Sequence, residues 1–516
     1  MLSLTTTVLK TTPVANTSLG AVRGVRLQFG VSQWLGLQYA TAGRWEAPVD
    51  RADPYPADAL VYGPNCPQKP GQVNNASFSA EECLYIQGIW APRAAPAPVM
   101  LWIHGGGFEA GGGADFNGST LAARHGVLVL SINYRLGQLG FLALREDAAA
   151  NSSTGNWGLL DQQAALRWVQ QHVAAFGGDP MRVTIFGQSA GGSAVSKHLV
   201  LPGSRGLFHR AIVESGAIAA PQDLAWSLPF ALTKADAFAA TVGCAPTREC
   251  LLRKSMEELL SAQAGPSASP LTSDETVSAV VDGITLPAAA LTLIGQGVAA
   301  DVPLLLGANS NDSSLFVIDY PAYANMSTAQ YAAVLNASLF TNGALPAAGA
   351  LARLLERYPP RGEPTRSLVA FATDAKFICQ ARAFAAAVAH SPRRQAGVYL
   401  YHYDHAYPQP RCTDLYFDPS FGVTHTAEVS FVFGQPTYLF GRPSPSAPAS
   451  CAFGPREEAI SDSLGRMWAA FARDGAPHAQ WPAYTRTGDA NALLDQALAD
   501  GGDLRTETSW RHGFCG

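Results

Sequence analysis

A chain of 516 residues, 47% apolar and 15% charged, can bury a large core, and this balance excludes a disordered polypeptide. Its net charge of −5, with no long basic block, gives no support to nucleic-acid binding through phosphate neutralisation. The apolar region 286–308 is interrupted by Pro287, Gln296, Asp301 and Pro303, and no apolar run reaches the roughly 18–20 residues a membrane-spanning helix needs.

The N-terminal MLSLTTTVLKTTPVANTS lacks the apolar core of a signal peptide, and the C-terminal WRHGFCG carries no anchor-like tail or retention tetrapeptide. Eight cysteines suit an oxidising compartment. Seven Asn-x-Ser/Thr triplets, at Asn16, Asn75, Asn117, Asn151, Asn311, Asn325 and Asn336, point the same way. Export is the expectation, with the signal peptide absent from this chain.

Strand-like and helix-like runs then alternate. VMLWIHGGG and VLVLSINYR read as short strands ending in turns. GLLDQQAALRWVQQHVAAFGG reads as a helix stopped at Gly177-Gly178. RVTIFG is a strand, AGGSAVSKHLVLP a helix ended at Pro202, and RAIVESG a further strand. VPLLLGA and GVYLYHYDHAY continue the pattern after Val280. This alternation predicts an α/β fold, a mostly parallel sheet with helices on both faces. With no repeat, linker or boundary in view, residues 1–516 read as one elaborated domain.

Within this pattern Gly187-Gln188-Ser189-Ala190-Gly191 fits G-x-S-x-G between a strand and a helix, the context of a nucleophile on a strained corner. A serine hydroxyl needs a base, and a tetrahedral acyl intermediate needs donors for its oxyanion. WIHGGGFEAGG places His104 and Gly105-Gly106-Gly107 directly after a strand. The amides of Gly106, Gly107 and Ala190 are the expected oxyanion hole. A phosphate-binding loop fits less well, since no Lys-Ser/Thr follows and G-x-G-x-x-G is absent. Nor do the Cys, His and acidic spacings form a zinc pattern, so no metal or cofactor is expected.

These motifs, with EECLYI, INYRLGQLGFL, GNWGLLDQQAALRWVQQHVAAFGGDPMRVTIFGQSAGG, VDGITLP, TDAKFICQ and MWAAFARDGAP, resemble the type-B carboxylesterase/lipase family from about Gly20 to Tyr484. That family includes cholinesterases, fungal lipases and the non-enzymatic neuroligins. The resemblance implies an α/β-hydrolase fold with large loop and helical insertions. Its triad order of Ser, acid, His leaves six late histidines: His390, His402, His405, His425, His478 and His512. His402 and His405 alternate with aromatic residues in a strand and read as structural. His425, in a loop ahead of Glu428 and FG, matches the family's catalytic position. Asp312 stands where relatives usually carry Glu and is the expected acid, with Asp301 as the alternative. A glycan on Asn311 would crowd this loop, so Asn311 is expected bare.

Two departures bear on substrate. Gln188 replaces the Glu that often precedes the nucleophile, removing a buried carboxylate that would favour cations. The loop CPQKPGQVNNASFSAEEC holds no tryptophan and only one aromatic residue, Phe78, whereas cholinesterases place a cation-binding tryptophan there. Its polar character also makes a poor lipase lid helix. The resemblance implies disulfides Cys66–Cys83, worth about 3 kcal/mol, Cys244–Cys250 and Cys379–Cys515. Elimination alone pairs Cys412 with Cys451. Arg44 and Glu81 resemble the family's buried ion pair. The expected function is a secreted serine carboxylesterase acting on small soluble or short- to medium-chain esters, not choline esters. A triacylglycerol lipase is the runner-up. A non-enzymatic adhesion protein on the same scaffold is the different-class alternative, which retention of Ser189 disfavours. Oligomeric state and the natural ester are not readable.

Overall fold

The apolar runs assemble into an eleven-stranded sheet in a computed structural model. It describes residues 12–69, 79–92, 94–217, 225–263, 277–318, 323, 325–339, 349–406, 422–436, 438–439, 442–443, 452–485, 488–499, 504–508 and 515. In chain order the strands are β1 (Val25–Arg26), β2 (Ser32–Gln38), β3 (Tyr85–Ala91), β4 (Ala97–Ile103), β5 (Leu128–Ile132) and β6 (Gly178–Gln188). They continue as β7 (Arg210–Glu214), β8 (Leu304–Asn309), β9 (Val398–Tyr403), β10 (Ala490–Leu494) and β11 (Arg505–Thr508).

Across the sheet the order is β1-β2-β3-β5-β4-β6-β7-β8-β9-β10-β11. The run from β5 to β10 is parallel. The strands at either end pair antiparallel. Every residue of β4, β5 and β8 is buried. That is why these strands read as unbroken apolar runs rather than as alternation.

Successive side chains feed two cores. Val99, Leu101, Ile103, Val183 and Ile185 pack on one face with helices α1 (Trp157–His172), α2 (Ala190–His198) and, after α3 (Pro364–Thr373), α4 (Cys379–Ala389). Met100, Trp102, Phe186, Ile212 and Leu305 pack on the other with α5 (Ala427–Phe433) and α6 (Pro455–Asp474). Helix α1 passes into a short 3-10 turn and stops at Gly177, whose φ of 88° is open to glycine. The α2 helix ends at His198 rather than running to Pro202. There the buried His198 ring is held by Ser204 Oγ and Gln162 Oε1, each at 2.8 Å, and Pro202–Ser204 forms a separate 3-10 turn.

Disulfides join Cys66–Cys83, Cys244–Cys250 and Cys379–Cys515. Arg44 forks onto Glu81 beside the first of them. Cys412, Cys451, Phe78, Asn75 and His512 lie outside the described residues. No helix among the described residues is long and apolar enough to cross a membrane.

Candidate active site

Ligand sites in open α/β sheets lie beyond the carboxyl ends of the strands, and the chemistry-bearing residues here follow β4, β6, β7 and β8. Between β6 and α2, Ser189 adopts φ 58°, ψ −126°. That conformation costs a non-glycine residue roughly 1–3 kcal/mol. Two backbone bonds hold it: Ser189 N–H donates to Glu214 O (2.9 Å) and Ser189 O accepts from Ser193 N–H (2.8 Å). Gly187 is needed because a Cβ there would lie 2.6 Å from Ile103 O. The Ala190 amide sits in the first turn of α2, where unpaired N–H groups and the helix dipole favour negative charge.

The glycine loop lies directly against this corner. A Cβ on Gly105 would meet Gln188 O at 2.7 Å and Ser189 Cβ at 3.0 Å. Gly106 and Gly107 take φ of 104° and 65°. Amides of Glu109 and Ala110 donate to Gly106 O, closing the loop. His104 anchors it: Nδ1–H donates to Gly105 O (2.8 Å), and the ring stacks on Tyr134 at 4.4 Å. Burial pushes the His104 pKa down to about 4, so it is neutral at working pH.

Asp312, fully buried in the loop after β8, gathers three donors. Its Oδ1 lies 2.6 Å from His425 Nδ1, while Oδ2 accepts from Ser215 Oγ (2.7 Å) and the Asn309 backbone N–H (2.8 Å). This set suits a carboxylate and puts the resting imidazole proton on Nδ1. The opposite nitrogen, Nε2, takes the Gln188 side-chain amide at 3.1 Å. Phe316 and Phe377 stack on each other at 6.0 Å and lie beside the ring at 5.1 and 5.0 Å. Phe377 is carried on a π-helical turn, Asp374–Ile378, between α3 and α4.

Other sequence candidates sit elsewhere. His402 bonds Ser310 Oγ (2.7 Å), and His405 lies 3.8 Å from Glu457. Asp301 accepts the backbone N–H groups of Gln395 and Ala396. Asn311 is half-buried and packs its amide against Gly422. Sequence reading missed Ser215, Asn309, Phe316, Phe377 and the buried acid Glu214, and it named the buried acid Glu428 only as a marker of the histidine's position. Of these acids, Glu214 accepts from Trp468 Nε1 (2.6 Å) and Glu428 from Asn309 Nδ2 (2.5 Å). Ser215 and Asn309 stand at the ends of β7 and β8, so strand position was the signal that could have found them.

A buried acid–imidazole pair, a serine on a strained corner and a glycine loop beside it can together support acyl transfer. The chain matches the Carboxylesterase family over residues 11–501. The para-nitrobenzyl esterase of Bacillus subtilis (strain 168) is 32% identical, over 96% of this chain and 97% of that protein. The cocaine esterase of Homo sapiens is 33% identical, over 92% and 86% respectively. A solved structure of PNB esterase superposes with a TM-score of 0.78 at 30% identity, covering 98% of this chain and 99% of that one.

Proposed function

Since this chain belongs to the carboxylesterase family, has its α/β-hydrolase fold and is a carboxylic ester hydrolase, we propose that it acts through a covalent acyl-enzyme on Ser189. The observation that carries this reading is the 2.6 Å His425–Asp312 pair whose free nitrogen contacts Gln188, the residue adjoining Ser189. Ser189 Oγ attacks the ester carbonyl and passes its proton to His425 Nε2, displacing the Gln188 amide from that nitrogen. Asp312 fixes the tautomer and stabilises the imidazolium. Amides of Gly106, Gly107 and Ala190 hold the oxyanion. The imidazolium then protonates the leaving alcohol. Water, deprotonated by the same ring, attacks the acyl carbonyl and releases the acid and Ser189.

The substrate is a small, uncharged, soluble ester of short to medium acyl chain. A neutral amide at Gln188 and the absence of tryptophan from the 66–83 loop both argue against quaternary ammonium esters. The polar sequence of that loop argues against a lipase lid. The three disulfides among the described residues favour an oxidising, extracellular setting. There, exposed Asn16, Asn151, Asn325 and Asn336 would take glycans and Asn311 would stay bare.

The test is a series of p-nitrophenyl esters from acetate to palmitate, with Ser189→Ala alongside. The reading expects highest kcat/KM on the short esters, abolished in the variant. Rates rising toward palmitate would make the protein a lipase. Hydrolysis that survives Ser189→Ala would remove Ser189 from the mechanism.

A further inference from the structure

The loop that carries His425 contains a strained residue. Thr426, directly after it and at the N-cap of α5, has φ 72°, a conformation rare for a β-branched side chain. Such a residue persists only where its surroundings over-determine the backbone. Here one side chain brackets it. Asn309, the last residue of β8 and fully buried, donates through Nδ2 to Thr424 O at 2.8 Å and to Glu428 Oε2 at 2.5 Å. These two acceptors lie immediately before His425 and in the first turn of α5. The backbone N–H of Asn309 meanwhile donates to Asp312 Oδ2.

We propose that Asn309 is a positioning residue for the triad, tying the histidine loop to the acid loop so that the imidazole meets Asp312. This inference rests on the serine-esterase reading above. The orientation of the amide is dictated by its partners: Thr424 O can only accept, so nitrogen must face it, and both N–H bonds are used. No backbone group could supply the same bridge, because one residue reaches the acid, the residue before the histidine and the helix after it.

Glu428 serves this tie as a neutral acceptor. It is fully buried, and its Oε1 has no partner among the described residues. The titratable groups that face it are Glu214, Asp312, Tyr401 and Tyr403, with no cation among them. Burial and the neighbouring Glu214 and Asp312 push its pKa well up, so it keeps its proton. A glutamine carbonyl could therefore take over its acceptor role, whereas a leucine could not.

The experiment compares Asn309→Ala, Glu428→Leu and Glu428→Gln with wild type on a short p-nitrophenyl ester, each rate normalised to the folded fraction by circular dichroism. Asn309→Ala is expected to lower kcat about 10- to 100-fold with KM little changed, the cost of a small misplacement of a catalytic group. Glu428→Leu should fall likewise, and Glu428→Gln should recover most of the lost rate. A double variant Asn309→Ala/Glu428→Leu should be little worse than either single one, since both remove one tie. The downfield proton resonance of the His425 Nδ1–H···Asp312 bond, assigned by its loss in His425→Gln, should shift or vanish in Asn309→Ala. This signal does not depend on turnover. If Ser189→Ala still hydrolysed esters, the serine reading would fail while the resonance continued to test Asn309. An unchanged resonance with unchanged kcat in Asn309→Ala overturns the proposal, as does a Glu428→Gln variant as slow as Glu428→Leu.

Discussion

Replacing Asp312 by asparagine should disable the site without moving it, and the structure dictates how. Oδ2 of Asp312 receives the Asn309 backbone N–H and the Ser215 hydroxyl. The backbone donor cannot be reversed, so the amide oxygen of Asn must occupy that position. Its NH2 then faces His425 Nδ1, now only 2.6 Å from Oδ1, and forces that nitrogen to accept. The imidazole proton moves to Nε2, where Gln188 can receive it by turning its own amide over. A ring protonated at Nε2 cannot take the Ser189 proton. The same tautomer error in a serine protease costs about 10⁴ in kcat, equivalent to roughly 5.5 kcal/mol of transition-state stabilisation. Steady-state hydrolysis of p-nitrophenyl acetate by Asp312→Asn should therefore show kcat down about 10³- to 10⁴-fold. KM should stay within a few-fold, and the melting temperature should be near that of wild type. A folded variant with kcat within tenfold of wild type would refute both the assignment of the acid and the tautomer argument.

Two further outcomes follow from packing and burial. Gly105→Ala drives a methyl group into Gln188 O and Ser189 Cβ. It should lower kcat about 100-fold, and steady-state kinetics that match wild type would show that the glycine loop does not abut the nucleophile. Glu214→Gln should flatten the pH dependence of stability, measured by urea unfolding from pH 4 to 9. Burial raises the Glu214 pKa from 4.5 to about 8, so the native state keeps a proton that the unfolded chain releases. Wild type therefore loses stability relative to the variant as pH rises from about 4.5 to 8, by up to roughly 5 kcal/mol. Parallel curves for the two proteins would mean that Glu214 ionises freely.

The legible parts of the site were those encoded within a few residues. Strand, turn and helix around Ser189 could be read because Gly187 and Gly191 sit where side chains would collide with β4, and small residues there leave a sequence trace. The glycine loop was visible for the same reason. His425 was different: six histidines lay late enough, and only the family resemblance singled it out. The Gln188–His425 contact joins residues 237 apart in sequence, which no local pattern can encode. Asn309 and Ser215 look like ordinary strand ends until the order of β7 beside β8 is known. Phe377 rides a π-helical turn, whose extra residue rotates it off the face that 3.6-residue periodicity predicts.

Taken together, the buried groups leave this site with little net charge beyond the Asp312–His425 pair. His104 is neutral because burial lowers its pKa to about 4. Glu214 and Glu428 keep their protons because burial raises theirs. At the position before the nucleophile stands an amide, Gln188, whose nitrogen approaches His425 Nε2. A carboxylate there would favour the imidazolium and draw a cationic alcohol. It would also place a negative charge beside the oxyanion that the glycine loop is proposed to hold. Gln188 avoids that conflict, but on the proposed mechanism it occupies the imidazole nitrogen that the Ser189 hydroxyl has to reach. Under that mechanism, an enzyme arranged in this way gains little from a charged leaving group. Its selectivity would then come from shape and apolar contact, and the half-buried, mutually stacked rings of Phe316 and Phe377, both on one side of the imidazole proposed to protonate the alcohol, are where such contact is available.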